Sequence, residues 1–325
     1  MLNPLPRRLG LIITALMFAT AAQAQSADFP NKPVRIMVGF PPGGGVDVIA
    51  RMMATELSKV WKQSVIVENR AGASGMIASN AIAQAPADGY LVQIATPNSD
   101  TLGPHLMKPP YDVMRDFTPI TLAVRVPNVL VVNDKLPVRS MKELVELAKA
   151  KPGSLTFASS GVGSIQQLAG ESFNAMTGAK AVHVAYKGSS AAIVDLVAGH
   201  VSMSFETSSA ALSFVRSDKL RALAMLSPQR NPALPDVPTS AEAGFPGFEF
   251  ATWYGVTGPA GIDPAVVRKW QESIARIMQL PNIQAQVASM GGAAVASTPE
   301  EFKTFRANEY SRMGKLIEQT GIKPQ

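Results

Sequence analysis

The stretch VRIMVGFPPGGGVDVIARMMATELSKVW, residues 34–61, predicts a strand, a glycine-rich turn and a helix in direct succession. Its first part is apolar and β-branched, and its last part repeats apolar side chains every three to four positions. The glycines let the backbone approach a ligand closely, and the first N–H groups of the helix have no intrahelical partner. Together with the positive end of the helix dipole, this predicts an anion-binding turn. The turn residues assigned to a ligand are Phe40, Pro42, Gly43, Gly44, Gly45 and Asp47.

The same turn lacks the features of two nucleotide-binding motifs. The GxGxxG spacing of the dinucleotide fold is absent, and no Lys-Ser or Lys-Thr pair opens the helix as in a P-loop. Asp47, near the helix start, is expected to cap the helix by accepting a backbone N–H, a structural role rather than a catalytic one. Taken alone, the stretch is also compatible with a plain tight turn.

Strands and helices alternate along the rest of the chain and predict an α/β architecture. Further strands are predicted at 65–67, 90–95, 129–132, 155–159, 183–186, 201–205, 220–225 and 253–256. Further helices are predicted at 76–85, 141–150, 164–177, 190–198, 264–278 and 299–319. The proline-rich segment 228–246 is predicted to be an extended connection.

A second turn of the same kind lies at FASSGVGS, residues 157–164. It again leads from a strand through glycines into a helix, with Ser164 at the N-cap and Gln167 placed to complete a capping box. Gln166 stands where a dinucleotide motif needs its third glycine, and no GxSxG nucleophile elbow is present. Two such turns, one in each half of the molecule, predict a ligand held between them. The residues assigned here are Ser159, Ser160, Gly163, Ser164 and Gln167.

Two further segments contribute candidate residues. Lys187 and Gly188 form a third loop, in which the lysine either neutralises a carboxylate or is simply solvated. Phe205, Glu206 and Thr207 end a strand, where α/β folds place ligand contacts. The Glu206 carboxylate either accepts a hydrogen bond from a ligand hydroxyl or ammonium, or pairs with an arginine at the hinge.

Composition narrows the class of protein. The 325 residues allow two domains, and the contents of 46% hydrophobic and 17% charged residues are those of a globular protein. The basic residues are scattered rather than clustered, which argues against nucleic acid as a partner. There is no cysteine, and His105, His183 and His200 are far apart, so neither a disulfide nor a metal or other cofactor is expected.

The amino terminus predicts export. Arg7 and Arg8 precede an apolar run at 9–17, and Ala22 and Ala24 supply the small residues of a cleavage site, so residues 1–24 are predicted to be a signal peptide. The alternative, a membrane anchor, is disfavoured because the run is shorter than the about 20 residues that span a bilayer. Cleavage removes two arginines and no acidic residue, which lowers the formal charge from +6 to +4.

Short motifs follow one another in order over nearly the whole mature chain. They include NKPVRI (31–36), FPPGG (40–44), VENR (67–70), DGY (88–90), YKG (186–188), LRALA (220–224) and LPDVPT (234–239). As a set they resemble the tripartite tricarboxylate transporter substrate-binding proteins, also called Bug or TctC-like receptors. The resemblance implies a two-lobed class II periplasmic-binding-protein fold. It also implies that the turns at 41–47 and 159–164 grip one carboxylate, largely through backbone N–H groups and water.

The chain departs from that family's pattern at three places. Gln167 stands where the family often has histidine, Glu206-Thr207 where it often has Asp-Asn, and the segment 96–100, which contains the further candidate Asn98, is less typical. These positions are expected near the far end of the ligand. The departures therefore bear on which acid is bound rather than on the fold.

The sequence thus predicts a periplasmic receptor for a small aliphatic or aromatic carboxylate, acting as a monomer. Its expected partners are the subunits of a tripartite tricarboxylate-type membrane transporter. A sensor that presents the same ligand to a sensor kinase is an alternative, and an enzyme is a weaker one because no nucleophile–base spacing is recognisable. Lobe 1 is predicted to comprise residues 25–127 and 228–325, and lobe 2 residues 128–227.

Overall fold

The computed structural model describes residues 29–323, and the predicted signal peptide lies outside them. Its two sheets share one long strand, β4, Phe117–Asn133. Over residues 117–127, β4 pairs antiparallel with β9, Ala251–Pro259. From residue 128 onward, it pairs with β7, Met203–Thr207, on one side and β8, Leu220–Met225, on the other.

The first sheet has the strand order β2-β1-β3-β9-β4, with β1, β2 and β3 parallel and β9 antiparallel to its neighbours. A short strand, β10, also pairs with β4. The strands are β1 Val34–Val38, β2 Val65–Asn69, β3 Leu91–Ala95 and β10 Ala293–Ala294. The associated helices are α1 Gly45–Trp61, α2 Met76–Ala83, α3 Gly103–Leu106, α8 Pro264–Met278 and α9 Pro281–Ser289.

The second sheet continues from β4 through β7 and β5 to β6, with β5 parallel to both of its neighbours. Its remaining strands are β5 Thr156–Ser159 and β6 Val182–Ala185. Its helices are α4 Met141–Ala150, α5 Ile165–Thr177, α6 Ser189–Ala198 and α7 Ser208–Arg216. The last helix, α10, spans Pro299–Thr320 and begins with a capping box between Thr298 and Glu301.

Most predicted elements are present, but the sequence pattern missed several short ones. The predicted strand at 129–132 is only the end of the 17-residue β4, in which Pro119 and Pro127 interrupt the pattern. Helices α3, α7 and α9 and strand β10 were not predicted, and neither was the π-helical turn Asn98–Leu102 that precedes α3. π-Helical turns occur frequently at functional sites.

Asn128, whose side chain is fully buried, joins three other segments at the point where β4 passes from the first sheet to the second. Its backbone N–H donates to Phe250 O at 2.9 Å, and its carbonyl accepts from Leu226 N at 2.8 Å. Its side-chain Nδ2 donates to Phe205 O at 2.9 Å, and its Oδ1 accepts from Thr252 Oγ1 at 3.1 Å. Because every polar group of Asn128 has a partner, the crossing segments are held in one register.

The apolar core of the second sheet extends across the predicted lobe boundary. Together with Phe157 and Phe173 it contains side chains from two distant parts of the chain, namely Leu102 and Leu106 before β4, and Met313 and Ile317 on α10. The change of strand pairing at residues 127 and 128 coincides with the predicted boundary between the lobes. The four side chains, however, belong to predicted lobe 1 and pack in the core of lobe 2, so the division into lobes stays a prediction.

A buried ion pair fixes α10 to the π-helical turn. Arg306 Nε and Nη2 donate to the two carboxylate oxygens of Asp100 at 2.7 and 2.6 Å, and Nη2 also donates to Val113 O at 2.6 Å. Both side chains are almost completely excluded from solvent. The turn therefore has a defined position, although it lies outside regular strand and α-helix.

We expect Arg306→Met to lower the free energy of unfolding by about 3–5 kcal/mol, because the Asp100 carboxylate is left buried without its partner. The measurement is equilibrium unfolding in urea. Arg230→Met, which removes one half of the exposed Arg230–Glu242 pair, is the matched control and should change stability little. Equal effects of the two substitutions would show that the buried pair does not stabilise α10.

Candidate ligand-binding cleft

The starts of four helices meet around a cavity of about 40 Å³ between the two sheets. Helices α1, α5, α6 and α7 all direct their amino ends at this cavity, and β9 closes its floor. The residues that the helix starts contribute are Gly44, Gly45, Val46, Ile165, Gln166, Gly188, Ser189, Ser190 and Thr207. The remaining lining residues are Phe40, Pro41, Thr96, Asn98, Ser160, Thr252 and Tyr254.

The electrostatics of the cavity come from dipoles rather than from charged side chains. Among residues 29–323, those that line it are glycine, proline, apolar, hydroxyl or amide residues, and none is Lys, Arg, Asp or Glu. The first N–H groups of each helix lack intrahelical partners and lie at the positive end of a helix dipole. Four such ends together create a positive potential that favours an anion, and the hydroxyl groups add donors.

The turn before α1 is held by Asp47 from the side away from the cavity. Asp47 Oδ2 accepts from Gly43 N at 3.1 Å and from Arg51 Nε at 2.9 Å, and Oδ1 accepts from Asn69 Nδ2 at 2.9 Å. Burial raises the pKa of Asp47, but these hydrogen bonds outweigh it and hold the pKa below its ordinary value. Asp47 therefore has a structural role, as predicted, but in a modified form. It accepts a hydrogen bond from the N–H of Gly43 in the turn, and Gly44 is the N-cap of the helix.

The turn before α5 has the predicted N-cap. Ser164 Oγ accepts from Gln167 N at 3.3 Å, and Gln167 Oε1 accepts from Gly163 N at 2.8 Å. Gln167 is thus turned back onto the start of its own helix. The neighbouring Gln166 lines the cavity instead.

Hydrogen bonds join the two sides of the cleft directly. Asn98, on the π-helical turn, donates from Nδ2 to Ser160 Oγ at 3.3 Å and accepts from Ile165 N at 2.9 Å. Ser74 Oγ donates to the carbonyl of Val162. The structure therefore shows a closed cleft, in which Asn98 takes up one of the backbone donors at the start of α5.

The start of α1 also packs tightly against α7 and β9. A Cβ atom added at Gly45 would lie 2.4 Å from Ser209 Oγ and 2.8 Å from Tyr254 Oη. At Gly44 the nearest atom would be Ser190 Oγ at 3.9 Å, an ordinary contact. Burial raises the pKa of Tyr254 to about 12, so its phenol remains a neutral donor. Gly45 is therefore the glycine of this turn that closure of the cleft requires.

Glu206 lies directly beneath the cavity lining and is fully buried. Its Oε1 accepts from Thr207 N at 2.8 Å, Ser189 Oγ at 2.9 Å and Gln166 Nε2 at 3.0 Å. Within residues 29–323, Oε2 has no hydrogen-bond partner. Burial raises the pKa of Glu206 further than these donors lower it. The predicted alternative, a pair with a hinge arginine, is absent because the side-chain partners of Glu206 are all uncharged.

The structure separates the predicted ligand residues into two groups. Those that line the cavity are Phe40, Gly44, Gly45, Asn98, Ser160, Gly188 and Thr207. Those that do not are Pro42, Gly43, Asp47, Ser159, Gly163, Ser164, Gln167, Lys187, Phe205 and Glu206. Lys187 is exposed and Phe205 lies in the core of the second sheet. These ten residues lie outside the cavity lining in this closed arrangement, and their ligand contacts stay a prediction.

Sequence reasoning missed several lining residues. Ser189 and Ser190 directly follow the predicted Gly188, so their position at a helix start was a usable signal. Thr252 and Tyr254 come from β9, far along the chain, and no local pattern distinguishes them from core residues of a strand. Ser159 does contact a histidine, with its Oγ 2.6 Å from His183 Nε2, but Ser159 is fully buried and cannot act as an accessible nucleophile.

Two other features bear on the choice of site. A larger cavity of about 660 Å³ lies against the crossing segments, near Arg125 and Phe250, but none of the four helix starts reaches it. Over residues 29–323, no group of three or more His, Asp or Glu side chains is arranged to hold a metal ion.

In the same range, no helix combines the length and apolar character that crossing a bilayer requires.

Comparison with known proteins agrees with this geometry. The family described as "Tripartite tricarboxylate transporter family receptor" matches residues 49–322. Protein BugT of Bordetella pertussis is 38% identical over 318 residues, which cover 96% of this chain and 98% of BugT. Rpa4515 of R. palustris, solved with adipate, has a TM-score of 0.89 and 33% identity, covering 91% of this chain and 100% of that one. MatC of Rhodopseudomonas palustris, with bound malate, has a TM-score of 0.85 and 26% identity, covering 89% and 100%.

The fold and the cleft define a two-lobed solute-binding protein of the periplasmic-binding-protein class, as the sequence predicted. The length and the sequence identity of these matches establish the family to which the chain belongs. The chain belongs to the tripartite tricarboxylate transporter receptor family, which includes the Bug proteins.

The buried Glu206 gives a test by pH. Because its pKa is raised in the folded protein, the folded state binds this proton more tightly than the unfolded state does. The resulting stability is present at low pH and is lost as the pH rises through the folded-state pKa. We therefore expect the melting temperature of the wild type, measured relative to Glu206→Gln, to fall as the pH rises above the ordinary range of a glutamate carboxyl. Parallel pH profiles of the two proteins would contradict this.

Proposed function

We propose that this protein is a periplasmic receptor that captures a small carboxylate between its lobes and delivers it to a tripartite tricarboxylate-type membrane transporter. The observation that carries the proposal is the meeting of four helix starts on a cavity lined by uncharged residues. Helix starts attract anions through unpaired N–H groups and the helix dipole. Family membership and the predicted signal peptide support the transport role and the location.

The dimensions of the cavity support a carboxylate in particular. Because one water molecule requires about 10–15 Å³ of such a cavity, about 40 Å³ suits a group of a few heavy atoms, such as one carboxylate. The rest of a larger acid requires the lobes to separate. The acids carried by two structural relatives, adipate in Rpa4515 and malate in MatC, have carboxylate ends of this size.

Opening of the lobes is proposed to centre on Asn128, where β4 passes from one sheet to the other. The contacts that open include the hydrogen bonds that Asn98 and Ser74 make to Ser160, Ile165 and Val162 across the cleft. A ligand carboxylate that binds at the helix starts would replace part of these bonds. Ligand binding and closure would then use the same backbone donors.

A panel of aliphatic and aromatic mono-, di- and tricarboxylates tests the proposal. We expect at least one acid to raise the melting temperature and to bind with saturation in calorimetry, without being converted. Uncharged amides of the same acids serve as controls for the carboxylate requirement. If no acid in the panel binds, the carboxylate proposal is wrong.

Substitutions in the first turn test the role of the helix starts. We expect Gly45→Ala to weaken binding of the best acid at least about tenfold, because its Cβ would meet Ser209 and Tyr254 in the closed cleft. Lys187→Ala is the control and should have little effect, since this side chain lies outside the cavity. A larger loss in Lys187→Ala than in Gly45→Ala would mean that charge neutralisation dominates.

A further inference from the structure

Glu206 shares its hydrogen-bond donors with the cavity. Each residue that donates to its Oε1, namely Gln166, Ser189 and Thr207, also lines the space in which the ligand is proposed to bind. The carboxyl group itself is one layer deeper and has no exposed surface. Glu206 and a bound anion therefore lie on opposite sides of the same set of polar groups.

The supply of hydrogens in this layer is limited. Ser189 has one hydroxyl hydrogen, and its Oγ lies 2.9 Å from Glu206 Oε1. The Gln166 side-chain amide has two hydrogens, and its Nε2 donates to Glu206 Oε1 at 3.0 Å and to Ser189 Oγ at 3.3 Å. In this arrangement both side chains direct their donors at Glu206 or at each other. A ligand carboxylate that binds here must compete for these donors.

The charge state of Glu206 decides that competition. Hydrogen bonds to an ionised carboxylate are roughly twice as strong as those to a neutral carboxyl, so an ionised Glu206 retains its donors. It also places a second negative charge beneath the anion, in a layer where burial already disfavours charge. A neutral Glu206 releases the donors at lower cost and removes the repulsion.

Within the part of the chain that the structure describes, the hydrogen-bond partners of Glu206 carry no charge that would compensate its own. On β4, the residue paired with Glu206 is Val129. Helices α5 and α6 contribute the uncharged side chains of Gln166 and Ser189. From β9, the titratable group that interacts with it is the Tyr254 phenol, which remains neutral because its pKa is raised to about 12. On β6, two strands away from Glu206, His183 bonds to Ser159, and burial lowers its pKa.

We propose that Glu206 competes with the ligand carboxylate for the Gln166 and Ser189 donors, so that a carboxylate binds together with a proton on Glu206. This inference rests on the proposed function and adds a specificity-determining residue to it. A carboxylate then binds when Glu206 takes up a proton. Binding is disfavoured while Glu206 is ionised, because two uncompensated negative charges would lie close together. Affinity for a carboxylate rises as the pH falls, and one linked proton sets a limit of about tenfold per pH unit.

Calorimetry measures the number of protons taken up. Adipate, malate or the best acid of the panel is titrated into the wild type between about pH 6.5 and 9, where such acids are ionised, in pairs of buffers with different ionisation enthalpies. We expect up to one proton to be taken up per ligand within this range. Glu206→Gln keeps the Oε1 acceptor and the size of the side chain, and should bind without proton uptake. At the alkaline end it should bind at least about tenfold more tightly than wild type.

Glu171→Gln is the matched control, because Glu171 is a half-buried carboxyl on the same helix as Gln166, with a pKa raised by burial, and it lies outside the cavity lining. This variant should retain the proton uptake of the wild type. Binding of an acid to wild type without proton uptake at any pH overturns the inference while the proposed function stands. Uptake that persists in Glu206→Gln also overturns it and assigns the proton to another group, such as His183. If no acid binds, the proposed function fails and the inference fails with it.

Discussion

The fold depends on strand β4, which serves both sheets and therefore has to change its partners within one residue step. Its pairing with β9 ends at Pro127, and its pairing with β7 begins at Asn128. Since Pro127 lacks an N–H, it cannot continue a two-sided ladder, and the buried Asn128 satisfies three other segments at that point. The carboxyl ends of the parallel strands on both sides then face one cleft, which is where α/β folds place their ligands.

The sequence carries enough local signal for the fold and for the location of the site. Alternating strand and helix patterns predict the α/β class, the Ser164 cap is present as expected, and both glycine turns reach the cleft. The local pattern does not decide the direction of individual side chains. Asp47 and Gln167 both stand in the first turn of a helix, where a side chain can either reach back to the preceding turn or face outward. Only tertiary contacts, such as Arg51 and Asn69 around Asp47, decide between these directions.

Long-range packing supplies the parts of the site that no local pattern indicates. Tyr254 meets the start of α1 across more than two hundred residues of chain, because β9 returns to pair with β3 and β4. Asn98 reaches the start of α5 from a π-helical turn that Arg306, near the carboxyl end, holds through Asp100. Neither arrangement has a periodic pattern, since irregular backbone is specified by its distant partners rather than by its own sequence.

Two of the buried carboxyl groups near the cleft, Asp100 and Glu206, differ in one respect. Asp100 lies against the guanidinium of Arg306, so its charge is compensated and its position serves the structure. Glu206 is surrounded by uncharged donors and leaves one oxygen without a partner among the described residues. A buried acid that served stability alone would be expected to have a cation, because burying an uncompensated charge costs several kcal/mol. A buried Glu206 beneath an anion site is explained if Glu206 takes up a proton when the ligand binds. The free-energy cost of ionising Glu206 next to the ligand then contributes to the selectivity of the cleft.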